Sequence, residues 1–244
     1  PKRAASDHSE FAFTGGRGDG FLDSQIARTP GPRPSAAAMP VVMHHGLVAY
    51  SLDIKARTSG AKRPQANGHA KQAVHFRDGI DVAVPSIRRT PPSILSPRAK
   101  THNYLNLILA DREVKRANPD AWSVLLDEHG NLCEGVGSNI FVVRGGRVYT
   151  PREQYVLPGV SRRTAIEMAA QLGIPCEERD LDVYDAVTAD EVFLTSTSLC
   201  LCGVRSVNGQ SIGDGRVPGP ITKRLTDAYV ALVGTDFVAQ YLSR

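Results

Sequence analysis

Between Trp122 and Thr150 the chain reads as two hairpins in immediate succession, and this stretch limits the fold more than any other. Trp122 to Asp127 has the apolar, β-favouring composition of a strand, Glu128-His129-Gly130-Asn131 is a turn, and Leu132 to Glu134 is the return. Asn139 to Arg144 and Arg147 to Thr150 then pair across Gly145-Gly146, a dipeptide that tolerates the positive φ of a tight hairpin turn. Around this region strands and helices mix without regular βαβ alternation, so the expected fold class is α+β.

Upstream, Ile80 to Ile87 alternates like a strand with Pro85 near its end, and Arg88 to Pro97 is a rigid connector. Asn103 to Ala117 carries apolar residues at 105, 108, 109 and 114, the pattern of an amphipathic helix, and Asn118-Pro119 stops it. Downstream, Gly159-Val160-Ser161 opens a helix with Ser161 as N-cap; Ala165, Ile166, Ala169 and Leu172 share one face, and Gly173 is the C-cap. Glu177 to Val183 is expected as a strand, Tyr184 to Ala189 as a short helix and Glu191 to Ser196 as a buried strand. A hairpin turn falls at Asn208-Gly209 within Val204 to Ile212, and Gly219-Pro220 precedes a last helix, Ile221 to Leu232.

Residues 1–74 differ in kind. Gly, Pro, Ser, Ala and Arg dominate there, and only Met39 to Ile54 offers one or two candidate strands. His44-His45 is not a metal pair on this reading, because neighbours on a strand face opposite sides. No apolar run approaches a membrane span and no segment has the pattern of a signal peptide. Of the four cysteines, Cys133, Cys176, Cys200 and Cys202, none forms a CxxC pair, which points to buried thiols in a reducing cytoplasm rather than disulfides or a metal. The net charge of +4 is carried by scattered basic residues, and aromatics are only 6%, so no basic stripe for nucleic acid exists. A modest positive field suits small anionic ligands instead.

Lys100 and Glu134 are the residues with most chemical potential. A lysine can form a Schiff base with an aldehyde cofactor such as pyridoxal phosphate, and a carboxylate facing the pyridine nitrogen keeps that ring electron-accepting. Gly135 and Gly137 beside Glu134 allow close backbone approach. EGVGSN is only a loose match to a dinucleotide-binding loop, because a β-rich run follows where a helix would be needed. Gly159, Val160 and Ser161 present backbone N–H groups at a helix N-terminus, a setting that favours an anion. Thr195-Ser196-Thr197-Ser198 supplies hydroxyls at the end of a buried strand. Taken singly, each has a plainer reading: a solvated lysine, a strand-end glutamate, a capped helix and a polar turn.

In their order and spacing, KTHNYLN (100–106), LLDEHGNLCEGVGSNIFVV (125–143), LPGVSR (157–162) and VFLTSTS (192–198) resemble the class IV pyridoxal-phosphate-dependent aminotransferases. That family includes the branched-chain, D-amino-acid and (R)-selective amine aminotransferases, and the likeness runs from about His75 to the C-terminus. It implies the D-amino-acid aminotransferase-like fold (fold type IV), with residues 75–244 as the large cofactor-binding domain. Residues 1–74 then stand in place of the family's small domain in an atypical form, in which neither that domain's strands nor its phosphate-binding arginine is recognisable; Arg57, Arg63 and Arg77 are candidates by chance alone.

The resemblance makes Lys100 the Schiff-base lysine and proton shuttle, and Glu134 the partner of the pyridine nitrogen. It places Leu157 against the ring and Tyr104 near the phenolic oxygen, and Asn139 is expected to tie down the loop behind the glutamate. Gly159, Val160 and Ser161 would hold the phosphate from one side and Ser196 and Thr197 from the other, with Thr197 and Ser198 at a substrate carboxylate. Pyridoxal 5'-phosphate would be the cofactor. An amino acid or amine and a 2-oxo acid would be the substrates, and the site would lie near a homodimer interface. A lyase of the aminodeoxychorismate lyase type and a non-catalytic member with impaired cofactor binding are the alternatives.

Overall fold

The computed structural model describes residues 65–243, so the expectations for Met39 to Ile54, His44-His45, Arg57 and Arg63 lie outside the described residues. The described part opens with helix α1 (Gln65–Asp78), which runs across the expected boundary at residue 75, followed by strand β1 (Ile80–Ala83). Helix α2 (Leu105–Ala117) leads to β2 (Trp122–Leu126), β3 (Leu132–Gly135), β4 (Asn139–Arg144) and β5 (Arg147–Thr150). Next come α3 (Val160–Gln171), β6 (Cys176–Glu178), α4 (Val183–Val187), β7 (Glu191–Ser196), β8 (Cys200–Val207) and β9 (Gln210–Ser211). Helices α5 (Pro220–Val233) and α6 (Phe237–Leu242) close the chain.

Among the described residues all the strands belong to one nine-stranded sheet of order β3-β2-β1-β8-β7-β4-β5-β6, with β9 beside β8. A further pairing of β3 with β4, through Glu134 and Asn139, closes β1, β2, β3, β4, β7 and β8 into a ring. Closure removes edges from these strands and buries both of their faces. On β7, Val192 and Leu194 join a cluster with Ile80, Val82, Val124, Ile140 and Cys202, while Phe193 turns the other way. Phe193 stacks on Phe141 at 4.7 Å and packs with Ala165, Met168 and Leu225 of α3 and α5. Burying each such phenylalanine contributes roughly 1.5–3 kcal/mol.

The mixture of parallel and antiparallel pairings with helices outside is the α+β class expected. Several details differ from the sequence reading. β1 ends at Ala83, because Pro85 has no N–H to continue the ladder and the Val84 N–H is taken by the Asn208 side chain at 2.8 Å. α2 buries Leu107 and Ala110 against Leu125, and Val114 is buried too, so its residues Leu105, Ile108 and Leu109 face outward. β6 stops at Glu178, since Asp182 caps α4 in a reciprocal box with Asp185 and draws the chain out of the sheet. α5 is not the last helix: α6 follows, its Asp236 side chain accepting from Ala239 N at 2.8 Å.

Candidate active site

One end of the ring, where β3, β4 and β7 meet the start of α3, opens into a cavity of about 280 Å³. This is close to the lower end of small-molecule pockets. Lys100, Tyr104 and Glu134 line it together with Leu157, Gly159, Val160 and Ser161. Ser196 and Thr197 complete the set, so residues far apart in sequence converge on one hollow. Ser198 is outside the lining; its hydroxyl lies 3.1 Å from that of Ser196.

Glu134 is the most constrained of these side chains. It sits on β3 at 5% exposure, with Oε1 accepting from Arg89 Nε at 3.0 Å and Oε2 accepting from Leu157 N at 2.9 Å. Burial pushes its carboxyl above the ordinary range, against the pull of the Leu157 N–H, Arg89 and Lys100. Each carboxylate oxygen keeps acceptor capacity beyond the bond it makes, so a further donor in the cavity can be bound. Lys100, at the exposed rim, adds an amine to the same cavity. Arg89 escaped the sequence reading, which treated its segment as a connector; its bond to Glu134 spans 45 residues and leaves no local pattern.

The backbone around the glutamate is fixed by close packing. A Cβ on Gly135 would run into the Ser138 hydroxyl and the Ser123 carbonyl, which explains glycine there. At Gly137 the same atom would meet open space, so no close approach accounts for that residue. Asn139, opposite Glu134 in the ladder, donates from Nδ2 to Leu157 O at 3.0 Å and so ties the 157–159 turn to the sheet, as expected. A Cβ on Gly159 would collide with that same asparagine side chain.

The N-cap of α3 is Gly159, not Ser161. Ser161 lies inside the first turn and donates from Oγ to Ser196 O at 3.0 Å, joining the helix start to the 196–199 loop. The first N–H groups of α3 have no acceptor within the helix and, with its dipole, favour an anion at this wall of the cavity. Arg162, in the same turn, is only 3% exposed; it donates to Pro151 O at 2.9 Å and pairs with Glu178 at 3.0 Å. Arg163 is exposed. The Ser138 and Thr195 hydroxyls near the cavity are buried without a hydrogen-bond partner.

All four cysteines are unpaired thiols. Burial pushes Cys200 and Cys202 up to about 12 and Cys176 up to about 11, so they stay protonated and unreactive at neutral pH. Among the described residues no group of three or more His, Cys, Asp or Glu could hold a metal ion, and no helix is long and apolar enough to cross a membrane.

The closed part of the sheet thus carries at its mouth a cavity that combines an amine, a clamped buried carboxylate and a helix N-terminus. The family model for class IV amino-transferases matches residues 51–207, and the chain belongs to that family. The branched-chain-amino-acid aminotransferase of Escherichia coli K12 is 38% identical over 159 residues, 64% of this chain and 51% of that one. Its crystal structure superposes with a TM-score of 0.61 at 37% identity, over 64% of this chain and 51% of that one. The branched-chain aminotransferase of Thermobaculum terrenum, solved in its PLP form, gives a TM-score of 0.60 at 33% identity, over 67% and 53%. The fold is therefore that of the fold-type IV enzymes, and the chain spans about half the length of the curated relatives it matches.

Proposed function

We propose that this chain is a pyridoxal-phosphate-dependent aminotransferase, moving an amino group from an amino acid or amine to a 2-oxo acid. The observation that carries the reading is the convergence of Lys100, Glu134 and the α3 N-terminus on one cavity. The cofactor fits these residues: Glu134 has acceptor capacity for a ring N–H, Lys100 an amine for an aldehyde, and the α3 start with Thr197 donors for a phosphate. When bound, pyridoxal phosphate supplies an aldehyde for amines and a ring that draws electrons from the substrate carbon.

The protein's own residues do the rest. Arg89 and the Leu157 N–H oppose the rise that burial imposes on the Glu134 carboxyl and so favour its charged form, the form that would pair with a protonated ring nitrogen. Lys100 Nζ, at the rim of the same cavity, would hold the aldehyde group of the cofactor and, when free, would serve as the proton carrier at the substrate carbon. Leu157 provides an apolar wall, and Tyr104, at the N-cap of α2, lines the same cavity as Lys100. The relatives named above support branched-chain amino acids as the first donors to try.

A homodimer is part of the same reading. Leu105, Ile108 and Leu109 on α2 are 64%, 47% and 44% exposed just beyond Lys100, an apolar face suited to a second copy. The test is amine transfer from leucine, valine or isoleucine to a 2-oxo acid by the full chain with added pyridoxal phosphate. Transfer that depends on the 2-oxo acid supports the assignment. Turnover without the 2-oxo acid would instead indicate elimination, and cofactor binding without turnover a non-catalytic member.

A further inference from the structure

The family match ends at residue 207, yet the last two helices touch Ser161, which lines the cavity, and Ser198 just behind it. Tyr229 of α5 is 2% exposed, and its hydroxyl lies 3.5 Å from Ser161 Oγ at the start of α3, with the hydroxyl of Thr164 and the thiol of Cys200 also beside it. Ser161 passes the link on by donating to Ser196 O. Tyr241 of α6 donates from its hydroxyl to Ser198 O at 3.1 Å. Between these anchor points Ser196 Oγ accepts from Leu199 N at 3.1 Å, and Cys200 holds a positive φ of 55°. That conformation is uncommon for a residue other than glycine and requires support from its surroundings.

The two tyrosines are themselves fixed. Tyr241 stacks on Phe76 of α1 at 5.3 Å, and Phe237 packs edge-on against Tyr229 at 5.7 Å. An aromatic wedge of α1, α5 and α6 therefore stands behind the 196–199 loop and the first turn of α3, and each tyrosine touches one of them through its hydroxyl. Neither hydroxyl lines the cavity.

We propose that Tyr229 and Tyr241 are positioning residues that set the anion-binding geometry of the site, Tyr229 through Ser161 for the phosphate and Tyr241 through Ser198 for a substrate carboxylate. This rests on the cofactor assignment above. Replacing either by phenylalanine keeps the aromatic packing and removes only the hydroxyl.

The test compares Tyr229→Phe, Tyr241→Phe and the unsubstituted full chain in three titrations: pyridoxal 5'-phosphate, pyridoxal lacking the phosphate, and 4-methylvalerate bound to the cofactor-loaded protein. In Tyr229→Phe, affinity for the phosphorylated cofactor falls about fivefold, the scale of one hydrogen bond, and affinity for pyridoxal is unchanged. In a Ser161→Ala background the same substitution adds nothing, because its route to the phosphate is gone. In Tyr241→Phe, 4-methylvalerate binds about fivefold more weakly while cofactor affinity holds.

Equal weakening for pyridoxal and its phosphate would mean general loosening and would overturn the proposal. So would unchanged binding of all three probes, or an undiminished Tyr229→Phe effect without Ser161. Failure of the unsubstituted chain to bind either form of the cofactor would sink the cofactor assignment itself, a distinct result.

Discussion

Replacing Arg89 by methionine tests the electrostatics of the site. Glu134 and Arg89 form a pair at 3.0 Å with side chains only 7% and 11% exposed. Burial raises the Glu134 carboxyl above its ordinary value of about 4.3, so the folded protein holds a proton that the unfolded chain has released in the window just above that value. Stability of the cofactor-free protein therefore falls as pH rises through this window, and Arg89 limits the fall. Without the guanidinium, ionised Glu134 is a buried charge lacking its partner, a change worth about 3–5 kcal/mol. At about 2–4 °C per kcal/mol for a chain of this size, Arg89→Met lowers the melting temperature by roughly 6–20 °C at about pH 8. At about pH 3, well below the ordinary value, Glu134 is protonated in both states and the gap shrinks to the loss of packing alone. Thermal unfolding of the cofactor-free protein across this range is the assay, with Arg89→Met/Glu134→Gln recovering most of the loss. An equal gap at both ends of the range, or no recovery in the double variant, would refute the reasoning.

Three further substitutions probe the surrounding structure. Gly159→Ala drives a methyl into the Asn139 side chain and should cost about 1–3 kcal/mol in denaturant unfolding, with weaker cofactor binding because Asn139 also holds Leu157 O. Thr195→Val removes a buried hydroxyl with no partner and should stabilise the cofactor-free protein by about 1 kcal/mol; a loss of stability would show that the hydroxyl is satisfied. Leu105→Asp alters a residue that is 64% exposed and should shift the protein from dimer to monomer in light scattering, while changing monomer stability by no more than about 0.5 kcal/mol.

The hairpins were legible in the sequence because their turns have few chemical solutions. Gly145 and Gly146 take φ of 57° and 72°, Asn208 and Gly209 take 49° and 79°, and the strands β4, β5 and β7 begin and end where the pattern placed them. The lysine, the glutamate and the helix start were legible as chemistry, through motifs whose residues the fold then gathers around one cavity. The outward face of α2 was misread because the small Ala110 marks the buried side, while the larger Leu105, Ile108 and Leu109 face out. The Arg89–Glu134 pair was invisible because nothing local connects two residues so far apart. Helix α6 had a readable start in Asp236, but a helix of only 6 residues gives too little periodicity to recognise without that cap.

The central claim is that one amine, Lys100, meets the cofactor beside Glu134. Borohydride reduction of the full chain after incubation with pyridoxal phosphate, followed by peptide mass spectrometry, tests it most directly. The account predicts a stoichiometric phosphopyridoxyl group on the peptide containing Lys100, and its loss in Lys100→Ala. Modification spread over surface lysines, or an adduct that persists in that variant, would contradict it.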